Sequence, residues 1–335
     1  MSRTSYVIAR LIIAVPMVLL LLTLVFVVMH IIPGDPVRAM YGTRVSEEFA
    51  RALRHEMGLD KPLYSQYIDY VLGIFTGNLG MSMWSKRPVI SEVLSAFPVT
   101  LELTILGMIL SVIIGLSLGV ACALKRDTVF DHVVRFLSLA GYCVPVFVTG
   151  LLEQFIFGVV LHVLPVQGRF NPLTAPPLVT NFAIIDSLLT GNIMVFWDSL
   201  THLVLPALGL AIWWAGLVAR VSRASMIETL GEDYIMAARA KGLAETAVIS
   251  RHALKNAILP VVTLTGICFA VLLGGEMLTE TIFSIPGMGR LMINAVFRRD
   301  FLVVQGCITF YAISAVVVGT IVDVLYTFLD PRVSN

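Results

Sequence analysis

Six stretches of this chain are apolar for long enough to cross a lipid bilayer, and that leaves very few folds open to it. A bilayer core of about 30 Å needs about 20 apolar residues in a helix. Runs of that kind are readable at 7–32, 99–124, 132–164, 200–221, 257–283 and 306–329. The third is long and contains Pro145, and 136–144 is either part of its helix or the entry to it. Inside lipid every backbone N–H and C=O must be bonded within the chain, so such runs have to be helices. The composition agrees. The 335 residues are 58% hydrophobic and 13% charged, where a soluble domain runs at about 45–50% and about 25%. The first run follows Arg3 and Arg10 as a signal peptide would. It exceeds the ~7–15 apolar residues of a signal peptide and no small-residue cleavage site follows, so it is read as a retained anchor.

Between the first two runs lies a stretch of another kind. Pro33, Gly34, Asp35 and Pro36 stop the first helix, and residues 33–98 then carry seven Lys/Arg and seven Asp/Glu. The spacing predicts amphipathic helices over 45–57 and 62–74, with Tyr67, Tyr70, Val71 and Ile74 on one face of the second. GNLGMS at 77–82 reads as a turn or loop. This is a folded insert rather than a linker. Loops are predicted at 165–199 and 284–305, and the PGMG sequence at 286–289 reads as a tight hairpin whose glycines supply positive φ. The chain therefore divides into a tail and first span (1–34), an extracytoplasmic insert (35–98), a five-helix core (99–329) and a terminal tail (330–335).

Orientation follows from the basic residues of the short loops. With the N-terminus inside, the inside segments hold twelve Lys/Arg and the two short outside loops hold four. Both termini are predicted to be cytoplasmic, and so is the loop 222–256. The net charge of +1 gives no basis for nucleic-acid binding. Cys122, Cys143, Cys268 and Cys307 lie in or beside apolar runs at spacings of neither a zinc site nor a disulfide framework. They read as packing residues. Trp84, Trp197, Trp213 and Trp214 read mostly as interfacial anchors. No phosphate-binding loop, HExxH or GxSxG motif is present, so no enzyme constellation is visible. A role driven by ATP would need a separate ATPase.

The most hydrophilic stretch of the second half is 231–260, GEDYIMAARAKGLAETAVISRHALKNAILP. Glu232 and Asp233 suit a helix N-terminus, and Gly242 is placed to end that helix. Ala237, Ala238 and Ala240 let another surface approach closely, with Arg239 and Lys241 as polar contacts beside them. Val248, Ile249, Ala253, Leu254 and Ala257 share one side of a second helical segment. A basic loop held at lipid headgroups would explain the charge but not the small residues followed by Gly.

Residues 237–260 resemble the signature loop of ABC-importer permeases, especially the branch that imports dipeptides, oligopeptides and nickel. HIIPGDP (30–36), MGLDKPLYSQY (57–67), GNLGMS (77–82), RPVISEVLSAFPVTLELT (87–104), VPVFVTGLL (144–152), LPVQGRF (164–170), ARVSRASMIETLGEDYIMAARAKG (219–242), ETIFSIPGMGRL (280–291), RRDFLVVQG (298–306) and DPRV (330–333) resemble the same branch. The sequence departs from the general motif at Met236, where that motif has Glu, and in a longer stretch after Gly242. The resemblance implies an all-α membrane protein of the type I importer permease fold with six transmembrane helices. It implies a second homologous permease subunit, two cytoplasmic ATPase subunits that carry the ATP and Mg, and an external solute-binding protein. This chain itself would hold no cofactor or metal and catalyse nothing. Docking of an ATPase is carried over to Asp233, Ala237, Ala238, Arg239, Ala240, Lys241 and Gly242. Glu153 and Glu276 are the candidates for lining the pathway, since intramembrane carboxylates are costly and usually face protein or water. Glu102, Glu280 and Asp323 read as structural. Arg290, Arg298, Arg299 and Asp300 are the candidates for meeting the binding protein. The cargo implied is a dipeptide or oligopeptide, with nickel, glutathione or another small solute as alternatives. A self-sufficient secondary transporter or a membrane enzyme are the competing classes.

Overall fold

The computed structural model describes residues 3–31, 37–38, 46–56, 58–177 and 179–329. The stop at 32–36, the ends of the predicted 45–57 helix and the 330–335 tail lie outside these. Among the described residues all regular structure is helical apart from an isolated bridge between Met81 and Pro88. Four helices are long and apolar enough to cross a membrane unaided: Val7–Ile31, Val89–Leu124, Ile193–Leu230 and Phe301–Val324. Two bent pairs, Val129–Cys143 with Val146–Val160 at 102° and Glu245–Ala257 with Leu259–Gly274 at 48°, bring the number to six when each pair is counted as one broken span.

Four predicted runs have different bounds in the structure. The run 132–164 is not one helix, because Val144 is extended (φ −78, ψ 127) ahead of Pro145. A residue before proline is pushed out of the helical region by the ring. The run 257–283 divides at Glu276 into Leu259–Gly275 and Met277–Ile282. The second and fourth spans extend well past their apolar stretches, to 36 and 38 residues, roughly 55 Å each at 1.5 Å per residue.

Those two long helices form the centre of the molecule. Gly107, Ser111, Gly115 and Gly119 recur every four residues on the second span. Ala207, Ala211, Ala215 and Ala219 do so on the fourth, and both rows are buried. A Cβ on Gly115 would sit 2.6 Å from Val218 Cβ and 2.7 Å from the Ala215 carbonyl. With lipid on every side the hydrophobic effect cannot drive helices together, so close backbone approach at small residues does.

The end carrying the insert is closed by Val89, Val93, Ala96, Met288, Ala295, Val303 and Cys307. Helix Leu63–Thr76 of the insert is tied to the first span, where Thr23 Oγ1 and Tyr67 OH share a 2.7 Å hydrogen bond. It is tied to the sixth where Tyr70 OH meets Thr309 Oγ1 at 2.6 Å. GNLGMS is a turn as predicted, with positive φ at Gly77 and Gly80. The four cysteines are free, three of them buried. Trp84 and Trp197 are exposed, and Trp213 stacks on Tyr142 at 4.6 Å. Trp214 packs in the central core, so it is no surface anchor of this chain.

Candidate functional site

At the opposite end of the bundle the fourth span stops at Leu230, and the chain turns through Gly231 into an eight-residue helix, Asp233–Ala240. Asp233 lies in its first turn and Arg239 in its last, which matches the helix dipole. Gly242 follows in the left-handed region with φ +76, and a Cβ there would touch nothing within 4 Å. Backbone geometry therefore requires this glycine, and open space lies above it.

The helix presents two different faces. Ile235 and Ala238 point into the bundle, where they pack with Ala123, Met226, Val248, Ala253 and Ala257. Asp233, Ala237, Arg239, Ala240, Lys241 and Gly242 are exposed. Of the seven residues predicted to meet an ATPase, six share the open side. Ala238 does not, since only 6% of it is exposed and the chain's own core covers it. The arm behind the helix is braced to it. Arg239 Nε and Nη2 donate to both Glu245 oxygens at 3.1 and 2.7 Å, and Asn256 Nδ2 donates to Tyr234 OH at 2.7 Å. The predicted face of Val248, Ile249, Ala253, Leu254 and Ala257 does turn inward. Beside this elbow, Arg223 Nε and Nη2 donate to the buried Asp131 carboxylate at 2.7 and 2.6 Å, which clamps the third span to the fourth. Sequence reading missed Ile235, Tyr234 with Asn256, and Asp131 with Arg223. Their partners lie 22 and 92 positions apart in the last two cases, beyond any helical periodicity.

The insert end is held by buried carboxylates. Glu102 accepts from Arg169 Nη2 at 3.0 Å and from the Ala183 and Ile184 N–H groups at 3.2 and 2.8 Å. Glu280 accepts from Thr100 Oγ1 at 2.5 Å and from the Arg290 N–H at 2.9 Å. The PGMG sequence lies at the tight turn between helices Met277–Ile282 and Met288–Arg298, which pack together, but its glycines take no positive φ. Gly287 caps helix Met288–Arg298 with φ −90, and the positive φ of this turn is at Ser284. The glycines are needed because the Glu280 carboxylate lies against them. A Cβ on Gly287 would collide with it, and one on Gly289 would sit 3.1 Å from Oε2. Asp323 pairs with Arg10 at 3.2 Å.

Of the four residues predicted to meet a binding protein, Arg298 and Arg299 are exposed and Arg290 is partly so. Arg290 Nη1 donates to the Ser284 carbonyl at 2.6 Å, and Arg298 lies over the Trp84 ring at 4.7 Å. Asp300 is corrected: it is 2% exposed and accepts from Ser82 Oγ and the Trp84 N–H at 2.7 and 3.2 Å. It joins the insert to the 284–300 segment and offers no surface. The two predicted pathway carboxylates are both buried, Glu153 at 7% and Glu276 at 6% exposed. Neither contributes to the elbow at the other end.

A bundle of membrane-crossing helices with a braced, glycine-terminated helix projecting from one end defines a class. Residues 111–335 match the family described as binding-protein-dependent transport system inner membrane component. Residues 3–104 match its N-terminal counterpart. The chain belongs to this family of multi-pass membrane permeases, and its architecture is the type I ABC importer permease fold. It is 43% identical over 332 residues to the di/tripeptide transport system permease protein DppB of Pseudomonas aeruginosa (strain UCBPP-PA14), covering 99% of each chain. It is 42% identical over 336 residues to the dipeptide transport system permease protein DppB of Escherichia coli (strain K12), again covering 99% of each. To the glutathione transport system permease protein GsiC of Salmonella typhi it is 36% identical over 329 residues, covering 98% of each.

Proposed function

We propose that this chain is one permease half of an ATP-driven importer for dipeptides and short oligopeptides. Full-length similarity to permeases of di- and tripeptide transport is the observation that carries the cargo, and it is stronger than the similarity to the glutathione permease. In this reading the N-terminus, the elbow and the C-terminus face the cytoplasm. A second, homologous permease completes the pathway, an external solute-binding protein delivers the peptide, and two ATPase subunits bind ATP and Mg.

The elbow is the coupling element. An ATPase surface seats on the open side of Asp233–Ala240, where Ala237 and Ala240 allow close approach and Gly242 leaves room. Ile235 and Ala238 carry the movement into the end of the fourth span. The Arg239–Glu245 pair and the Tyr234–Asn256 bond make the helix and its arm move as one body. Asp131 and Arg223 bring the third span along. Coupling of this kind needs an element with two stable positions that both sites bias. On the external side, Arg290, Arg298 and Arg299 with the Trp84 loop offer a basic and aromatic patch to the binding protein. Glu153 and Glu276 serve the pathway between the two ends.

The test is uptake by the complete importer in proteoliposomes. Gly242→Asp and Ala240→Trp are expected to abolish ATP-dependent peptide uptake while the variant chain still inserts and assembles with its partner permease. Normal uptake by both variants sinks the docking role. Uptake by the wild-type chain without any ATPase, driven by an ion gradient, returns the secondary-transporter reading.

A further inference from the structure

An isolated carboxylate occupies the break in the third span. Helix Val146–Glu153 leaves the Val144–Pro145 break at 102° to Val129–Cys143 and passes directly into a π-helical stretch, Gln154–Val160. Two glycines seat it. A Cβ on Gly150 would lie 3.2 Å from the Phe283 ring, and one on Gly209 would lie 2.9 Å from Glu153 Oε2. Gly209 stands sixteen positions into the 38-residue fourth span, about 24 Å from its start and so near the middle of that helix and of its apolar stretch.

Both Glu153 oxygens are buried without a hydrogen-bond partner. The neighbouring Gln154 turns its amide elsewhere, Nε2 donating to the Val166 and Ile282 carbonyls at 2.8 and 3.1 Å. Several charged groups on the elements packed against this helix are engaged elsewhere. Asp198 and His202 face each other at 3.5 Å, Arg223 holds Asp131, and Glu280 holds Thr100 and the Arg290 N–H. Arg220 lies about three helical turns from Gly209 along the fourth span. A lone carboxyl group at this depth is expensive to ionise without a partner, and intramembrane carboxylates mark substrate and ion pathways. The break on one side and the π-helix on the other make this segment the part of the span able to change its packing, and π-helical turns concentrate at functional sites.

We propose that Glu153 is the amine-recognising group of the pathway, pairing with the free N-terminal ammonium of a peptide when the break in the third span opens. The proposal rests on the peptide-importer reading. The terminal ammonium is the cation that every linear, unblocked peptide carries whatever its side chains. One carboxylate can therefore serve cargo of varied sequence and disfavour peptides blocked at the N-terminus.

The experiment uses the complete importer in proteoliposomes with Ala-Ala and N-acetyl-Ala-Ala, each rate normalised to that peptide's occupancy of the binding protein. Glu153→Gln is expected to lower Ala-Ala uptake about tenfold and N-acetyl-Ala-Ala uptake little, with Glu153→Asp restoring most of the loss. Gly209→Ala, which crowds the carboxylate, is expected to fall in the same direction. Unchanged Ala-Ala uptake by Glu153→Gln overturns the proposal, as does an equal fall for both peptides, which would mark a structural role. If the acetylated peptide is carried by no variant, the Asp arm decides: a loss that Asp does not restore overturns the proposal. A wild-type complex that takes up neither peptide removes the importer reading itself, an outcome distinct from failure of Glu153 alone.

Discussion

Gly287 and Gly289 matter for the volume they leave empty. The Glu280 carboxylate fills the space where their Cβ atoms would be, and from there it caps helix Met288–Arg298. Gly289→Ala would place a methyl 2.6 Å from Met277 Cα, which the backbone must relieve at a cost of about 1–3 kcal/mol. Thermal unfolding of the detergent-purified chain is expected to show a lower Tm for Gly289→Ala. Gly274→Ala, which meets nothing within 4 Å, should leave Tm unchanged. The spacing of PGMG was visible in the sequence, but its reason was not, because it depends on a side chain packed from another turn. Asp186 gives a second residue-scale case, in the segment between the third and fourth spans. Burial pushes its carboxyl up, yet the Thr180 hydroxyl and the N–H groups of Thr180 and Val179 outweigh burial and hold it below its ordinary value. A depressed folded-state value stabilises above the unfolded value of about 3.9, and the stabilisation is lost as pH falls through the lower, folded one. Limited proteolysis at 179–192 is expected to accelerate as pH drops below about 4, and Asp186→Asn should remove that acceleration.

Elements depend on which residues face each other, and here the second and fourth spans set the frame. Their four-residue rows of small side chains stand in the sequence as Gly107, Ser111, Gly115, Gly119 and as Ala207, Ala211, Ala215, Ala219. Small residues at four-residue spacing mark a packing face in the sequence, but which row meets which emerges only when the helices are seen face to face. Gly115→Leu is expected to force the spans apart, lowering the yield of folded chain in detergent. Ile113→Leu, on an exposed position of the same helix, should behave as wild type. The break in the third span was signalled by Pro145, but its 102° angle was not. The residue before a proline must leave the helix, whereas the direction taken afterwards is set by Gly150 and Glu153 finding Phe283 and Gly209.

At the scale of the whole molecule the two ends differ in kind. One carries the braced elbow, and the other carries the insert joined to the 284–300 segment through Asp300 and Arg298. The proposed orientation is open to a direct check. A cysteine at Lys241 should react with a membrane-impermeant maleimide only in inside-out vesicles and be protected when the ATPase subunits are bound. A cysteine at Leu173, exposed in the opposite loop, should react only in right-side-out vesicles. The sequence by itself determined that this chain crosses a membrane on helices, that an insert follows the first span, and that a small-residue helix ending at Gly242 interrupts its second half. Those properties are local, because hydropathy, periodicity and a left-handed glycine are written within a few turns of chain. Only the tertiary structure decided that Ala238 faces its own bundle and Asp300 is enclosed. It alone decided that Glu102 and Glu280 are satisfied while Glu153 is left without a partner. Each of these is a relation between residues distant in sequence, and burial and hydrogen bonding exist only once the helices have packed.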